Sequence, residues 1–333
     1  MNRHVWNWRR AGVDFNVKQA KQWSRLGPRA VYGMAMLELM QKNERVYALS
    51  ADLGVSSGLQ RVMKAYPQRY LNTGIAEQNL IGVSAGLAKE GLVPFASSFA
   101  PFITLRCADQ VRMNMGYMHL NMKTVALGSG VSMSSLGNSH YGNEDLAFMR
   151  SIPGMTILSP ADCGQLTQAV YAAAEWDGPV YIRLTGEPNM PIVYEESGAY
   201  EIGRATVLKK GKDVTLIATG SMVALALETA DTLKTKGIEA GVIDMHTLKP
   251  LDTGCLDDVC GSSKLLATIE EHGKIGGLGS AVAEYVAQMD QRAPLLMFGI
   301  PDRYMKAGDY SYMLEQSGLT VEHIVSAVCD KLT

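Results

Sequence analysis

Short apolar runs of strand length alternate along this chain with longer stretches of helical period, and they do so twice. Val46–Ser50, Val93–Ser97, Thr124–Leu127, Thr156–Leu158 and Val180–Leu184 read as strands, with helices over Pro28–Met40, Ala76–Glu90, Ile103–Met115 and Asp162–Glu175. Strands alternating with helices form a mostly parallel sheet covered by helices on both faces. The run Glu187–Ala199, with Pro188, Asn189, Pro191 and Gly198, breaks the pattern and reads as a linker. The pattern then restarts, with strands at Val214–Ala218, Ala240–Asp244, Leu265–Glu270 and Leu295–Phe298 and helices at Met222–Leu233 and Leu278–Met289. The fold class expected is therefore α/β: a first domain over 26–190, a linker over 191–205 and a smaller α/β domain over 206–333. Residues 1–25, with Trp6 and Trp8 among arginines, show no clear period and read as an arm that packs on a neighbour or stays mobile.

Composition narrows the function. Of 333 residues 47% are apolar, enough for two cores, and only 19% are charged. A net charge of −2 with no basic block argues against nucleic acid as the main partner. No stretch of about 18 apolar residues occurs, and the uncharged, fairly apolar Gly91–Leu105 is short and carries Pro94 and Pro101, so neither a transmembrane helix nor a membrane partner is expected. The basic start has no apolar core behind it and does not read as a secretory signal. Five cysteines form no Cys-x-x-Cys pair, which fits free thiols in a reducing cytoplasm.

Three segments carry candidate chemistry. In Asn72-Thr73-Gly74-Ile75-Ala76-Glu77-Gln78-Asn79 a carboxylate stands at a helix start just after a glycine turn. It complements the helix dipole, and it is also placed to hydrogen-bond a heterocycle. About twenty residues on, Phe99 and Phe102 lie a helical turn apart in a chain with only six phenylalanines. They suit core packing or the stacking of a flat ring. A glycine/serine loop then runs from Gly128-Ser129-Gly130 to Ser139-His140, after a strand, where α/β proteins place ligands.

In this order and spacing, the three segments resemble the thiamine diphosphate enzymes of the transketolase family, over about residues 26–330. The resemblance is to the pyrimidine-binding and C-terminal domains of a full-length transketolase. The Gly74-Ile75-Ala76-Glu77-Gln78-Asn79 motif is also similar to that of 1-deoxyxylulose-5-phosphate synthase, and Ile152-Pro153-Gly154-Met155 before Pro160-Ala161-Asp162 is a further shared marker. The resemblance implies that Glu77 holds the cofactor's pyrimidine ring. A carboxylate bonded to the ring nitrogen opposite the amine stabilises the imino tautomer, the form in which that amine is a useful base. It further implies that Phe99 and Phe102 wall the pyrimidine, that Asp52 lines the cofactor site, and that His140 bonds the transferred two-carbon unit. Arg29, Ser56 and Arg183 fall at the positions that hold a substrate phosphate, a task that suits the arginine fork.

Several positions depart from the family. Leu105 replaces a third aromatic, Leu136 an aspartate, Gly128 a histidine and Tyr141 a glutamine. These changes point away from the ordinary pentose phosphates toward a shorter, less hydroxylated or modified ketose. No Gly-Asp-Gly segment, the family's route to Mg²⁺ and the diphosphate, occurs in the sequence. Gly276-Gly277-Leu278-Gly279 reads as a turn into a helix. The resemblance therefore implies a split enzyme. A partner like the N-terminal part of transketolase supplies the metal ligands, with two of each chain and a contact between copies of this one. The expected reaction moves a two-carbon ketol unit from an anionic ketose to an aldehyde. Decarboxylation of a 2-oxo acid followed by condensation, as in the synthase, and a non-catalytic regulatory role stay open as alternatives.

Overall fold

The computed structural model describes residues 13–333. Seven strands form the first sheet: β1 (Val46–Ser50), β2 (Tyr70–Asn72), β3 (Val93–Phe99), β4 (Lys123–Leu127), β5 (Thr156–Leu158), β6 (Val180–Arg183) and β10 (Thr247–Lys249). Their order is β10-β5-β6-β4-β3-β1-β2, with every pairing parallel except β10 on β5. β7 (Thr206–Lys209), β8 (Val214–Ala218), β9 (Ala240–Asp244), β11 (Leu265–Gly273) and β12 (Leu295–Ile300) form the second sheet, ordered β12-β11-β8-β9-β7, with only β7 antiparallel. The α/β class read from the alternation is what the structure has.

Burial explains why the central strands show no polar alternation. Every residue of β3, β4, β8 and β9 is buried, as parallel strands between two helical layers require. One face of the first sheet is covered by helices Pro28–Lys42 and Cys163–Glu175, which share Val31, Tyr32, Met36, Leu166 and Val170 in one core. The opposite face is covered by helix Glu77–Lys89, and the same core runs on through Ile217, Ile243 and Leu266 of the second sheet. The far face of the second sheet is closed by helices Met222–Thr235 and Val321–Leu332.

Two readings need correction. Within the segment read as an aperiodic arm, Val17–Leu26 is a helix with a full capping box between Asn16 and Gln19, and Phe15, Ala20 and Trp23 are buried in the chain's own core. Three polar-framed apolar anchors leave too little period to read, and the cap does the specifying. Trp6 and Trp8 lie outside the described residues. The single helix expected over Ile103–Met115 is broken into turns at Ala100–Ile103, Leu105–Cys107 and Ala108–Val111, then a π-helical stretch at Arg112–Tyr117. The break falls at Thr104, whose hydroxyl donates to the carbonyl of Ala100 at 2.6 Å.

Candidate active site

Of the eight residues singled out from sequence, seven stand on the first sheet or follow its strands, and Arg29 opens the helix Pro28–Lys42 that leads into β1; all but Arg183 collect at the carboxyl ends of the parallel strands, where open α/β sheets bind ligands. β1 ends into Asp52, and β2 ends at Asn72, whose side chain ties the two loops. Its Oδ1 accepts from the Asp52 and Gly74 amides at 2.9 and 3.0 Å, and its Nδ2 donates to Asp52 at 3.1 Å. Gly74 takes φ +71°, open to glycine at little cost, and the chain then enters helix Glu77–Lys89. Glu77 sits in the first turn, only 4% exposed. Its Oε2 accepts from Arg106 at 3.1 Å, and the Arg106 guanidinium lies 3.9 Å from the centre of the Phe102 ring. Glu77 thus stands between the amino end of its helix and the Arg106 guanidinium.

The aromatic side of the site is continuous with this pair. Phe99 and Phe102 meet edge-on at 5.9 Å, and His140 closes the triangle at 5.5 Å from Phe99 and 5.2 Å from Phe102. Ser139 Oγ lies 3.0 Å from His140 Nδ1. Leu105, at the third aromatic position, is 45% exposed, so the wall is open on that side. The structure therefore brings Glu77, Phe99, Phe102 and His140 into one contiguous cluster. Arg106 belongs to it too, and no period or motif in the sequence singled it out.

Arg29 and Ser56 share a separate compartment, a cavity of about 500 Å³ also lined by Gln60, Gly128, Met133 and Glu187. Arg29 is exposed just after Pro28 and has no hydrogen-bond or ion-pair partner among the described residues. The turn bearing Ser56 is pressed onto helix Pro28–Lys42, because a Cβ at Gly33 would lie 1.9 Å from the Gly58 carbonyl oxygen. Glu187 was not foreseen, since it follows a strand inside the stretch read as linker. The departures from the family now have causes. A Cβ at Gly128 would lie 2.3 Å from Met133, so methionine fills the space a histidine would take. Tyr141 is buried, with its hydroxyl donating to the Ser134 carbonyl at 2.6 Å, and Leu136 is half exposed.

Arg183 does not join this cavity. It is fully buried on β6, with Nε donating to Asp145 Oδ2 at 2.8 Å and one terminal nitrogen donating to the carbonyls of Gly142 and Glu271 at 3.1 and 2.7 Å. Tyr181 donates to the same Asp145 oxygen at 2.5 Å. Burial pushes the Asp145 carboxyl up, but Arg183, His272 and these hydrogen bonds together hold it below the usual carboxylate range. Burial also drives His272, beside them, down to about 4, so it is a neutral ring at physiological pH. The side chain expected to grip substrate is instead a bolt between the two domains. Just further along the chain, Leu184, Gly186 and Glu187 line the cavity instead.

Comparison with known proteins fits this architecture. The family model of the transketolase pyrimidine-binding domain matches residues 25–189, and that of the transketolase C-terminal domain matches residues 203–324. The chain belongs to the transketolase family. It is 40% identical over 94% of its length to the 6-deoxy-6-sulfo-D-fructose transketolase subunit SqwH of a Clostridium species, covering 95% of that protein. It is 33% identical over 87% of its length to one of the subunits of the apulose-4-phosphate transketolase of Phocaeicola vulgatus, covering 92% of that protein. The resemblance to 1-deoxy-D-xylulose-5-phosphate synthase also holds, at 33% identity to the Chlorobium luteolum enzyme, of which this chain spans 47%. A solved split-gene transketolase, an inactive beta4 tetramer, superposes with a TM-score of 0.85 at 43% identity, covering 92% of this chain and 98% of that one.

Proposed function

We propose that this chain is the pyrimidine-binding subunit of a split transketolase-type enzyme, moving a two-carbon ketol unit from an anionic ketose to an aldehyde. The observation that carries the reading is Glu77, a carboxylate 4% exposed at a helix start and linked through Arg106 to the Phe99–Phe102 aromatic pair. That donor set fits the pyrimidine end of thiamine diphosphate, since a buried acceptor beside an aromatic edge is what a protonated ring nitrogen needs. When bound, the cofactor supplies an acidic thiazolium carbon, and its own aminopyrimidine takes the proton. Glu77 holds the ring nitrogen that keeps this amine in its basic form, Phe99 and Phe102 wall the ring, and Asp52 borders it. His140 faces the reacting end of the sugar. Arg29 and Ser56 hold its anionic tail, a reading supported by relatives named for a sulfonated and a phosphorylated sugar.

The diphosphate and Mg²⁺ belong to a second polypeptide resembling the N-terminal part of transketolase, assembled as two of each chain. The sequence lacks the Gly-Asp-Gly segment, relatives of equal length are subunits, and a tetramer of one such chain is inactive. The enzyme works in the cytoplasm on our reading, which the five free cysteines support. Among the described residues, no helix is long and apolar enough to cross a membrane.

Co-expression with a partner of that kind, followed by a screen of ketose donors with thiamine diphosphate and Mg²⁺, tests the proposal. Ketol transfer from a phosphorylated or sulfonated ketose is expected. Glu77→Ala should lower turnover roughly a hundredfold or more with an unchanged melting curve, and Glu77→Gln nearly as much. Release of CO₂ from pyruvate, or near-normal turnover in either variant, would overturn it.

A further inference from the structure

The second sheet has a crevice of its own at the carboxyl ends of β8 and β11, because the chain leaves β8 toward β9 on one side and returns to β11 on the other. Such switch points ordinarily receive ligands. Here a loop of the first domain fills it. Gly130 and Gly142 pair across the loop's base through two hydrogen bonds of 2.9 Å, so residues 131–141 form a closed excursion. Its base sits on Glu271 of β11. That side chain is fully buried, and its Oε1 accepts from the Val131 amide at 2.8 Å. Its Oε2 accepts from the hydroxyls of Ser221 and Tyr310 at 2.5 and 2.6 Å. Gly130 passes at φ +66°, and a Cβ there would lie 2.3 Å from Glu271 Oε1, so the approach requires glycine. At the tip, Asn138 donates to the Met305 carbonyl of the second domain at 2.9 Å.

We infer that Glu271 is a positioning residue. Through Val131 it fixes the loop that carries Met133 into the Arg29–Ser56 cavity and His140 onto Phe99 and Phe102. The second domain thereby acts as the anvil on which the substrate loop is set. The effect on catalysis rests on the function proposed above, whereas the anchoring itself does not. A glutamine keeps an acceptor for the Val131 amide and can turn its amide group to the two hydroxyls, so it should substitute well. An alanine leaves three donors without their acceptor.

Hydrogen exchange on the full chain tests the anchor directly. In Glu271→Ala, amides of residues 131–141 should exchange about tenfold faster, while those of β3, β8, β12 and helix Glu77–Lys89 keep their rates. Glu271→Gln should restore the loop. Unchanged loop exchange, or β8 and β12 loosening as much as the loop, would overturn the inference. Should the alanine variant not fold, the pair Ser221→Ala and Tyr310→Phe removes the hydroxyls instead. It should speed loop exchange a few-fold, and no change there also refutes the anchor. In the assembled enzyme, Glu271→Ala should raise the KM for the ketose about tenfold, with Glu271→Gln near normal. A wild-type assembly without ketol transfer would refute the proposed function but leave the exchange result standing.

Discussion

Arg183 separates two accounts of the same position, and Arg183→Leu decides between them. A phosphate-binding arginine lies open to solvent, so its loss raises KM and spares stability. The Arg183 observed here is fully buried and holds Asp145 at 2.8 Å and two carbonyls at 2.7 and 3.1 Å. Removing it leaves a buried carboxylate with the Tyr181 hydroxyl as its nearest donor, and breaking one side of such a pair costs about 3–5 kcal/mol. With a urea m-value of about 3 kcal/mol/M, the midpoint of the first-domain transition should fall by about 1–1.7 M. The loss should also depend on pH. In the native chain the Asp145 carboxyl is held low, so its stabilising share is present above the unfolded value of ~3.9 and fades as pH falls through the folded one. Without Arg183 burial dominates and the carboxyl moves up, so it then costs stability as pH rises above ~3.9. The gap between wild type and variant should therefore widen from pH 4 to pH 7 in urea titrations of the full chain. Replacing both partners, Arg183→Leu with Asp145→Leu, should recover part of the loss. A single variant within about 1 kcal/mol of wild type that raises the KM for an anionic ketose would refute the buried-bolt account.

Two further perturbations follow from the same structure. Burial pushes the Asp244 carboxyl up to about 7 despite donors from Tyr194 and Gln165, so its stabilising share is complete below ~3.9 and lost as pH rises through 7. Asp244→Asn, which still offers those donors an acceptor, should gain stability relative to wild type between pH 5 and pH 8, read as diverging urea midpoints, and parallel midpoints would count against it. Gly33→Ala puts a methyl into the Gly58 carbonyl, so it should lower stability by about 1–3 kcal/mol and displace the turn bearing Ser56. Thermal melts and the KM for the ketose should both shift, and an unaltered KM would detach Ser56 from substrate binding.

Much of the fold was legible because buried parallel strands are short and uniformly apolar. β1, β5, β8 and β9 fall where the apolar runs fall, residue for residue. β10 was not legible. Three residues, Thr247–Lys249, leave the second domain to pair antiparallel with β5, and such a crossing is fixed by tertiary contact rather than by local pattern. The broken helix after β3 hid for a related reason: Thr104 interrupts an apolar period without a glycine, and only its back-bond to Ala100 reveals the break.

The same distinction runs through the site. Glu77, Phe99, Phe102 and His140 were readable because each sits at a fixed offset from a strand end, and the sheet carries those offsets into one place. Arg106, Glu187 and Glu271 were not, because their roles arise across elements: Arg106 through Phe102 to Glu77, Glu187 through the end of β6, and Glu271 through a loop 140 residues earlier. Arg183 shows the converse error. Its sequence position lies next to the cavity-lining Leu184 and shortly before Gly186 and Glu187, yet strand burial turns its side chain into the domain junction. In a sheet a side chain's face is set by register, so a small offset converts a ligand contact into a core contact. An arginine is therefore free to contact substrate where the chain lies outside the sheet, as at Arg29 in the first turn of helix Pro28–Lys42, and not where it is still held in a buried strand, as at Arg183.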